Sequence, residues 1–305
     1  MNERVSKAID ARQTKGWGEY LKFLNWKIEW VGKTQIFIRK FALLNLSFIK
    51  IQHPIGPLPF KKIDQIARKN KAAWALVEPH NSGYSEEEMV KNGYKKSKMM
   101  LSHTATIKID LKRGEKDLFN SFSENARRNI RKSQKQNLEV RKVEMKLEKN
   151  WQYFDIFYSL LKNLGKMKKF YVPSYQEYES KMRAFKDGST LLFAYDGETP
   201  ICVIWFATYD NVIAYFQTGI TTRGYETLAN YLLLWEGLKM GQKKGLDVFD
   251  FESIFDERYP KYLPQKKRYT DFKKRFHGEI VLYPEPWIKT YSALGKLLYI
   301  WMTLV

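Results

Sequence analysis

Cysteine and histidine are scarce in this sequence of 305 residues, which contains one cysteine and four histidines. The single cysteine, Cys202, has no partner for a disulfide and lies in the apolar run ICVIWFAT, which favours a buried structural thiol over a nucleophile. This usage is typical of a reducing cytoplasm. The histidines His53, His80, His103 and His277 are scattered, and each is interpreted as a surface or loop residue, so no metal and no cofactor is expected.

Long apolar runs are also missing. No run reaches the roughly 18 to 20 residues of a membrane span, and the first residues, MNERVSKAIDARQ, have no apolar core of the kind that signal peptides contain. The glycine patterns of P-loop and Rossmann proteins and the G-x-S-x-G of hydrolases are absent too. We therefore expect a cytoplasmic protein whose chemistry does not depend on one of these short motifs.

Positive charge is what the sequence has in excess, with 53 Lys and Arg against 33 Asp and Glu and a net charge of +20. This balance favours an anionic partner, namely nucleic acid, an anionic lipid surface or a phosphate-bearing substrate, over a basic surface without a partner. Hydrophobic residues at 44% and aromatic residues at 15% indicate a folded chain, and its length suffices for two domains.

The two halves of the sequence predict the same succession of helices, antiparallel strands, a helix and a strand. In the first half, the pattern predicts a helix over residues 115–137 with a basic outer face. In the second half, the Asp196-Gly197 turn predicts a hairpin. The apolar tail, residues 287–305, predicts an amphipathic helix that packs on the first half, and contact with the inner face of the plasma membrane is the less favoured alternative.

The stretch from residue 214 to residue 252 predicts a strand, a turn at Gly219, a helix over residues 226–244 and the strand DVFDFE, with Gly245 as a left-handed cap. GNAT-type acyltransferases present an activated acyl donor on such a unit. Coenzyme A needs a glycine-rich turn before the helix, but Glu226 and Leu228 occupy the glycine positions here. We therefore expect the acyltransferase frame without its coenzyme A pocket.

Two further segments are candidates for a site. The alternation in DVFDFE predicts that Asp250 and Glu252 share one face and bind substrate, with a solvated sheet edge as an equal alternative. Residues 255–279 interleave basic and aromatic side chains, which favours contact with RNA over a basic loop with core aromatics. The candidates for these RNA contacts are Lys266, Lys267 and Arg268.

Longer stretches resemble a known family in the order in which they occur: WGEYLKFLNWKIEWV, HPIGPL, SHTATIKIDL, ENARRNIRKSQKQNLEVR, LLFAYDGETPICVIWF, ANYLLLWEGLKMGQKKGLDVFDFE and DFKKRFHGEIVLYPEPW. They resemble the Fem (FemX/FemA/FemB) peptidyltransferases, and RRNIRKSQKQNLEV and FKKRFHGE are the most specific. That family builds the interpeptide bridge of peptidoglycan from aminoacyl-tRNA. The sequence departs from the family after the DF strand, where DFESIFDERYP replaces a glycine-rich turn.

The resemblance implies an α/β (α+β) fold of two GNAT-like domains in tandem, with mixed, mostly antiparallel sheets and no coiled-coil arm. The expected domains are residues 1–143 with 288–305, and residues 144–287. It also implies an aminoacyltransferase, active as a monomer, whose donor is aminoacyl-tRNA. The acceptor would be a stem-peptide amine of UDP-MurNAc-pentapeptide or lipid II. The alternatives are a GNAT-fold N-acyltransferase with other substrates and a non-catalytic protein that binds RNA or anionic membranes.

The same resemblance implies roles for individual residues. Lys273 would stabilise the oxyanion, and Phe272 would place the acceptor end of the tRNA. Asp110 would assist the acceptor amine or hold the acceptor, with a structural role as an equal alternative. Weaker candidates for binding the acceptor are Lys22, Tyr178, Arg223 and Tyr231. Candidates for tRNA phosphates, with a solvated helix face as an equal alternative, are Arg127, Arg128 and Arg131.

Overall fold

The computed structural model describes residues 2–81, 83 and 85–304, which form α-helices and two mixed β-sheets. The helices are α1 (Glu3–Lys7), α2 (Lys15–Phe23), α3 (Phe60–Lys69), α4 (Glu86–Lys91), α5 (Glu115–Ser121), α6 (Glu124–Gln134), α7 (Gln152–Lys168), α8 (Tyr175–Ala184), α9 (Thr222–Glu226), α10 (Ala229–Lys243), α11 (Lys267–Lys274) and α12 (Ala293–Leu304). Short 3₁₀ helices lie at Ala11–Gln13, Glu148–Asn150 and Pro264–Lys266.

The strands form one sheet of six and one of seven members. They are β1 (Lys27–Val31), β2 (Thr34–Lys40), β3 (Ser47–Gln52), β4 (Ala72–Glu78), β5 (Lys95–Lys96), β6 (Ala105–Asp110), β7 (Glu139–Glu144), β8 (Ser189–Asp196), β9 (Thr199–Tyr209), β10 (Val212–Ile220), β11 (Val248–Asp250), β12 (Glu279–Leu282) and β13 (Trp287–Thr290). The strand orders are β1-β2-β3-β4-β13-β5 and β12-β6-β11-β10-β9-β8-β7.

The chain folds into two compact units. The six-stranded unit contains residues 9–105 and 282–305, and the seven-stranded unit contains residues 1–8 and 106–281. These bounds differ from the predicted boundary at residue 143. The reason is that β6 pairs with β11 and α6 packs on α10, so residues 106–143 fold with the second half. Strand β13 and α12 belong to the six-stranded unit, the half that was expected to receive residues 288–305.

Both units repeat one arrangement of strands. In the six-stranded unit, antiparallel β1, β2 and β3 precede α3, and β4 then pairs with β3 in parallel. In the seven-stranded unit, antiparallel β7, β8, β9 and β10 precede α9 and α10, and β11 then pairs with β10 in parallel. A helix between parallel strands is the connection that such a pair requires. The predicted tandem fold is therefore confirmed.

Three predicted helices have different bounds. The helix predicted over residues 226–244 is α10, which begins only at Ala229 because Leu228 has a left-handed φ of +59°, and Glu226 ends the separate helix α9. The helix predicted over residues 115–137 is divided into α5 and α6, because the Ser123 hydroxyl caps α6 by accepting the Ala126 N–H at 3.2 Å. The predicted tail helix is strand β13 followed by α12, and its last residue, Val305, lies outside the described residues. No helix in the described part is long and apolar enough to cross a bilayer.

The predicted turn at Gly219 is wrong, because this residue lies within β10. A Cβ atom added there would lie 2.7 Å from the Leu161 backbone nitrogen and 2.8 Å from the Leu160 Cβ, both in α7. The glycine therefore permits the close approach of α7 to β10 rather than a change of chain direction. The nearby prediction for Gly245 is confirmed, since its φ is +71°.

We expect Gly219→Ala to lower the free energy of unfolding by about 1 to 3 kcal/mol, because the added methyl group meets backbone atoms that cannot move independently. Urea denaturation of the variant and the wild type measures this difference. Gly114→Ser is the matched control, since an added Cβ has no neighbour closer than 3.5 Å and serine is a good helix N-cap. Equal stability of Gly219→Ala and the wild type would contradict the packing role.

Candidate active site

The end of strand β11 in the seven-stranded unit carries a buried carboxylate with several donors. Asp250 is 1% exposed. Its Oδ1 accepts hydrogen bonds from the Thr106 hydroxyl at 2.5 Å and the Glu252 backbone N–H at 2.7 Å. Its Oδ2 lies 3.8 Å from the ammonium of Lys108. An ionised carboxylate accepts several hydrogen bonds in this way, so Asp250 organises both the strand and the loop that follows.

The ammonium of Lys108 is fully buried and also donates to the Ala8 carbonyl at 3.2 Å. Strand pairing brings Lys108 opposite Asp250, since the two residues are register partners in β6 and β11. The sequence analysis did not single out Lys108 or Thr106. Their signal was the polar face of the alternating segment ATIKIDL, on which Thr106, Lys108 and Asp110 recur every second residue.

The backbone turns sharply after Asp250. The strand ends there, and Glu252 takes a left-handed conformation with φ of +64°. The prediction that Asp250 and Glu252 share one face of a strand is therefore wrong, because Glu252 lies beyond the strand. A side chain in this conformation is strained and persists only where surrounding contacts hold it, and the hydrogen bond from the Glu252 N–H to Asp250 is such a contact.

The ammonium of Lys273, in α11, reaches the same loop. It donates to the carbonyl oxygens of Phe251 at 2.8 Å and Ser253 at 2.7 Å. Burial lowers the pKa of Lys273 to about 8, against the opposing effect of the Glu252 and Asp250 charges. A lysine ammonium has three N–H donors, so one donor is left after these two bonds. An ammonium held in this way can stabilise a nearby developing negative charge.

Aromatic rings pack beside Lys273. The ring of Phe272, half-buried, lies 5.0 Å from that of Tyr231 and 5.5 Å from that of Phe276. The Tyr231 hydroxyl accepts a hydrogen bond of 2.6 Å from Arg275, which also donates to the Asn125 side chain at 3.0 Å. These contacts connect α10, α11 and α6. The structure thus brings together Lys273, Phe272, Tyr231, Asp250 and Glu252 of the predicted site residues.

The predicted tRNA contacts lie on two elements of this unit. Arg128 and Arg131 are exposed on α6, while Arg127 is half-buried and donates to the Asn120 carbonyl at 2.6 Å. With Glu124, Lys132 and Lys135 they line a shallow, mostly basic depression. Lys266, Lys267 and Arg268 lie at the start of α11, and Lys267 and Arg268 are exposed. The two groups of basic residues therefore lie on α6 and α11. Arg275, directly after α11, donates a hydrogen bond to Asn125 in α6.

Four predicted site residues lie elsewhere. Asp110 is opposite Val248 rather than Asp250, and it accepts hydrogen bonds from the Asn2 side chain at 2.5 Å and the Lys112 N–H at 2.9 Å. Tyr178 packs against Phe157 in α7. Lys22 belongs to the six-stranded unit and pairs with Glu19 at 2.8 Å. The fourth, Arg223, occupies the turn that would hold coenzyme A in a GNAT-type enzyme.

That turn is filled by its own side chains. Arg223 contacts the carboxylates of Asp196 at 2.7 Å and Glu226 at 3.6 Å. The Gly224 N–H donates to the Thr221 hydroxyl at 3.1 Å instead of facing a ligand. Two carboxylates and a capped amide do not suit a pyrophosphate. The geometry agrees with the missing glycines and gives no site for coenzyme A among these residues.

Three of the histidines lie in loops, as expected, but they are buried. His53, His80 and His103 belong to the six-stranded unit, and none of them is on the surface. His53 Nδ1 lies 3.0 Å and His103 Nε2 lies 3.6 Å from Asp10 Oδ2, and these three atoms suit a zinc ion in kind and spacing. Burial alone would raise the pKa of Asp10, but Arg12 and His53 hold it well below its usual range. The guanidinium of Arg12 lies 3.2 Å from the Asp10 carboxylate and balances its charge.

The burial of Cys202 agrees with its expected structural role. Its thiol is fully buried, and burial raises its pKa, which suppresses the reactive thiolate. This cysteine lies in β9 and is excluded as a nucleophile.

Comparison with known proteins defines the class of fold. The model of the acetyltransferase (GNAT) domain family matches residues 124–261. The chain has the fold of a solved FemX structure, with a TM-score of 0.81 at 14% identity over 96% of this chain and 94% of that one. L-PGS from Bacillus licheniformis is similar with a TM-score of 0.61 at 12% identity, covering 99% and 98%. A conserved protein of unknown function from Bacteroides thetaiotaomicron VPI-5482 has a TM-score of 0.63 at 9% identity, covering 95% and 93%. No curated protein matches the sequence.

These likenesses establish a GNAT-type acyltransferase fold in a tandem arrangement like that of FemX. The matched domain indicates a transferase. At identities this low the likeness concerns the fold, so the substrates must be argued from the site itself.

Proposed function

We propose that the protein transfers an amino acid from aminoacyl-tRNA to the stem-peptide amine of a peptidoglycan precursor, either UDP-MurNAc-pentapeptide or lipid II. The observation that carries this proposal is the Lys273 ammonium, which is held by two loop carbonyls beside a packed aromatic cluster. It lies in an acyltransferase fold whose coenzyme A turn is filled. The segments that resemble Fem peptidyltransferases and the FemX-like fold support the same class of donor.

The reaction needs no covalent enzyme intermediate, because the aminoacyl ester is already activated. The acceptor amine attacks the ester carbonyl and forms the new amide bond, while the ester C–O bond breaks. The terminal ribose hydroxyl of the tRNA leaves with the proton that the amine loses. Lys273 would donate its remaining N–H to the oxyanion of the tetrahedral intermediate, and orientation of the two substrates supplies the rest of the rate enhancement.

Basic side chains on α6 and α11 would bind the tRNA. Arg128, Arg131, Lys267 and Arg268 are exposed, and Arg275, directly after α11, donates to Asn125 in α6. Phosphate contacts of this kind supply affinity without sequence specificity. Phe272 directly precedes Lys273 in α11. Its ring is a surface against which the terminal base of the tRNA could stack. Asp110, Lys22, Tyr178 and Arg223 stay predictions for acceptor binding.

A transfer assay tests the proposal directly. Purified protein is incubated with tRNA charged with a radiolabelled amino acid and with UDP-MurNAc-pentapeptide or lipid II in parallel. We expect label to appear on one of the precursors and to disappear after ribonuclease treatment of the tRNA. Full N-acylation of the precursor with acetyl-CoA alone, and no transfer from any charged tRNA, would show the alternative N-acyltransferase function instead.

A further inference from the structure

Helix α12 has apolar side chains on two faces. One face packs on the six-stranded unit, where Leu298 and Tyr299 contact the core around Trp74 and a Cβ on Gly295 would lie 2.2 Å from the Ala73 carbonyl oxygen. The other face is exposed. Its members, with their exposed fractions, are Leu294 (50%), Leu297 (64%), Ile300 (43%) and Trp301 (64%), and Met302 (41%) is exposed near the end of the helix.

A second apolar segment is exposed beside the same core. In the loop between β2 and β3, Phe41 and Leu46 pack against the cluster that also receives Leu298 and Tyr299. The residues at the tip of this loop point outward, since Leu43 is 96% and Leu44 is 39% exposed. We call these two residues and the five exposed residues of α12 the apolar patch. Soluble monomers rarely expose so many large apolar side chains on segments that pack on one core cluster.

The chain around the apolar patch carries more basic than acidic residues, although Lys96 pairs with Glu86 at 3.2 Å and Glu285 at 2.9 Å. The segments 39–46, 95–101 and 292–304 contain Arg39, Lys40, Lys95, Lys96, Lys98 and Lys296 and no acidic residue. The segment 95–101 lies next to α12, because the Lys98 N–H donates to the Tyr299 hydroxyl at 3.3 Å and the Ser97 hydroxyl lies 3.0 Å from that hydroxyl. Lys40, Lys98 and Lys296 are exposed. A molecule that binds the apolar patch would therefore contact apolar side chains flanked by lysines.

We infer that this surface docks the six-stranded unit on an anionic lipid bilayer. Apolar side chains that enter the acyl region, a tryptophan at the level of the headgroups and flanking lysines are the features of an interfacial helix. Each lysine near an anionic bilayer adds attraction. A second copy of the chain is a poorer occupant, because a symmetric contact would bring the same cations against each other. This inference goes beyond the proposed transfer reaction and does not depend on it.

Vesicle co-sedimentation tests the docking surface without any transfer substrate. We expect the full chain to sediment with vesicles of 70% phosphatidylcholine and 30% phosphatidylglycerol and to bind vesicles of phosphatidylcholine alone far less. A double variant, Leu297→Ser with Trp301→Ala, is expected to bind the anionic vesicles roughly 10-fold less well or worse, because it loses two inserted apolar side chains. Lys98→Glu is expected to weaken binding roughly 30-fold, since one positive charge becomes negative.

Matched variants test whether vesicle binding depends on this surface, rather than on the overall charge or on any exposed apolar side chain. Lys149→Glu makes the same charge change at an exposed site of the seven-stranded unit, and Tyr171→Ser removes an apolar side chain that is 83% exposed there. Both are expected to bind like the wild type. The inference is overturned if the wild type does not bind anionic vesicles, or if the α12 variants bind as well as the controls. It is also overturned if sedimentation velocity shows a dimer that the α12 variants dissociate while vesicles bind none of the proteins.

Discussion

Replacing Lys273 with alanine is expected to lower the rate of aminoacyl transfer by about 10²-fold or more, the usual effect of removing one preorganised oxyanion donor. The fold should persist, because the variant removes a side chain from one end of α11 and leaves the aromatic contacts of Phe272 and Phe276 in place. Single-turnover transfer from charged tRNA, with both substrates in excess of their binding constants, measures the chemical step rather than binding.

Lys274→Ala is the matched control for this experiment. Lys274 is the next residue in α11 and is exposed, whereas Lys273 is 8% exposed. Loss of tRNA attraction through one positive charge affects both variants equally, so only the buried ammonium separates them. Transfer by Lys273→Ala at a rate close to that of Lys274→Ala would remove Lys273 from the mechanism.

The pH dependence of the transfer rate is an independent test of the role of Lys273. Because burial lowers the pKa of Lys273 to about 8, its ammonium loses its proton well below the range of an exposed lysine. Only the charged form stabilises an oxyanion, so we expect the wild-type rate to fall as the pH rises through about 8. The residual rate of Lys273→Ala should lack this falling limb once spontaneous ester hydrolysis has been subtracted. Identical profiles would assign the titration to another group.

Local patterns predicted much of the frame and less of the site. The Asp196-Gly197 hairpin, the left-handed Gly245 and the tandem order of elements depend on short-range signals, and the structure contains all three. The ends of helices were predicted less well, because Leu228 and Ser123 interrupt helices where the apolar pattern of the sequence continues. Glycine signals both turns and close packing, and at Gly219 the sequence alone did not distinguish the two.

The site was predicted where its residues are neighbours in sequence and missed where distant segments meet. Phe272 and Lys273 lie in one motif, so the resemblance indicated them together. Lys108 meets Asp250 only through the pairing of β6 with β11, strands separated by more than half of the seven-stranded unit's sequence. The buried histidines behave in the same way, since His53 and His103 reach Asp10 from separate loops. Such partners follow from strand pairing and chain path, which single-sequence periodicity does not specify.

The second large effect is expected at Asp250. In Asp250→Asn, the buried Lys108 ammonium loses the carboxylate charge that lies 3.8 Å away. Removing one partner of a buried ion pair costs about 3 to 5 kcal/mol, because the other charge stays desolvated. We therefore expect the free energy of unfolding, measured by urea denaturation, to fall by about that amount. Asp247→Asn is the control, since its ion pair with Lys112 is partly exposed and is worth about 1 kcal/mol at most.

A double variant tests whether the unpaired charge of Lys108 causes the loss of stability. Adding Lys108→Met to Asp250→Asn removes the unpaired ammonium and should restore most of the lost stability, as replacements of buried ion pairs by apolar groups often do. Transfer should not recover with it, because the loop carbonyls that hold Lys273 follow the turn that Asp250 fixes through the Glu252 N–H. A stable double variant with low transfer would thus distinguish the two roles of Asp250. Full recovery of transfer would show that the turn forms without its carboxylate.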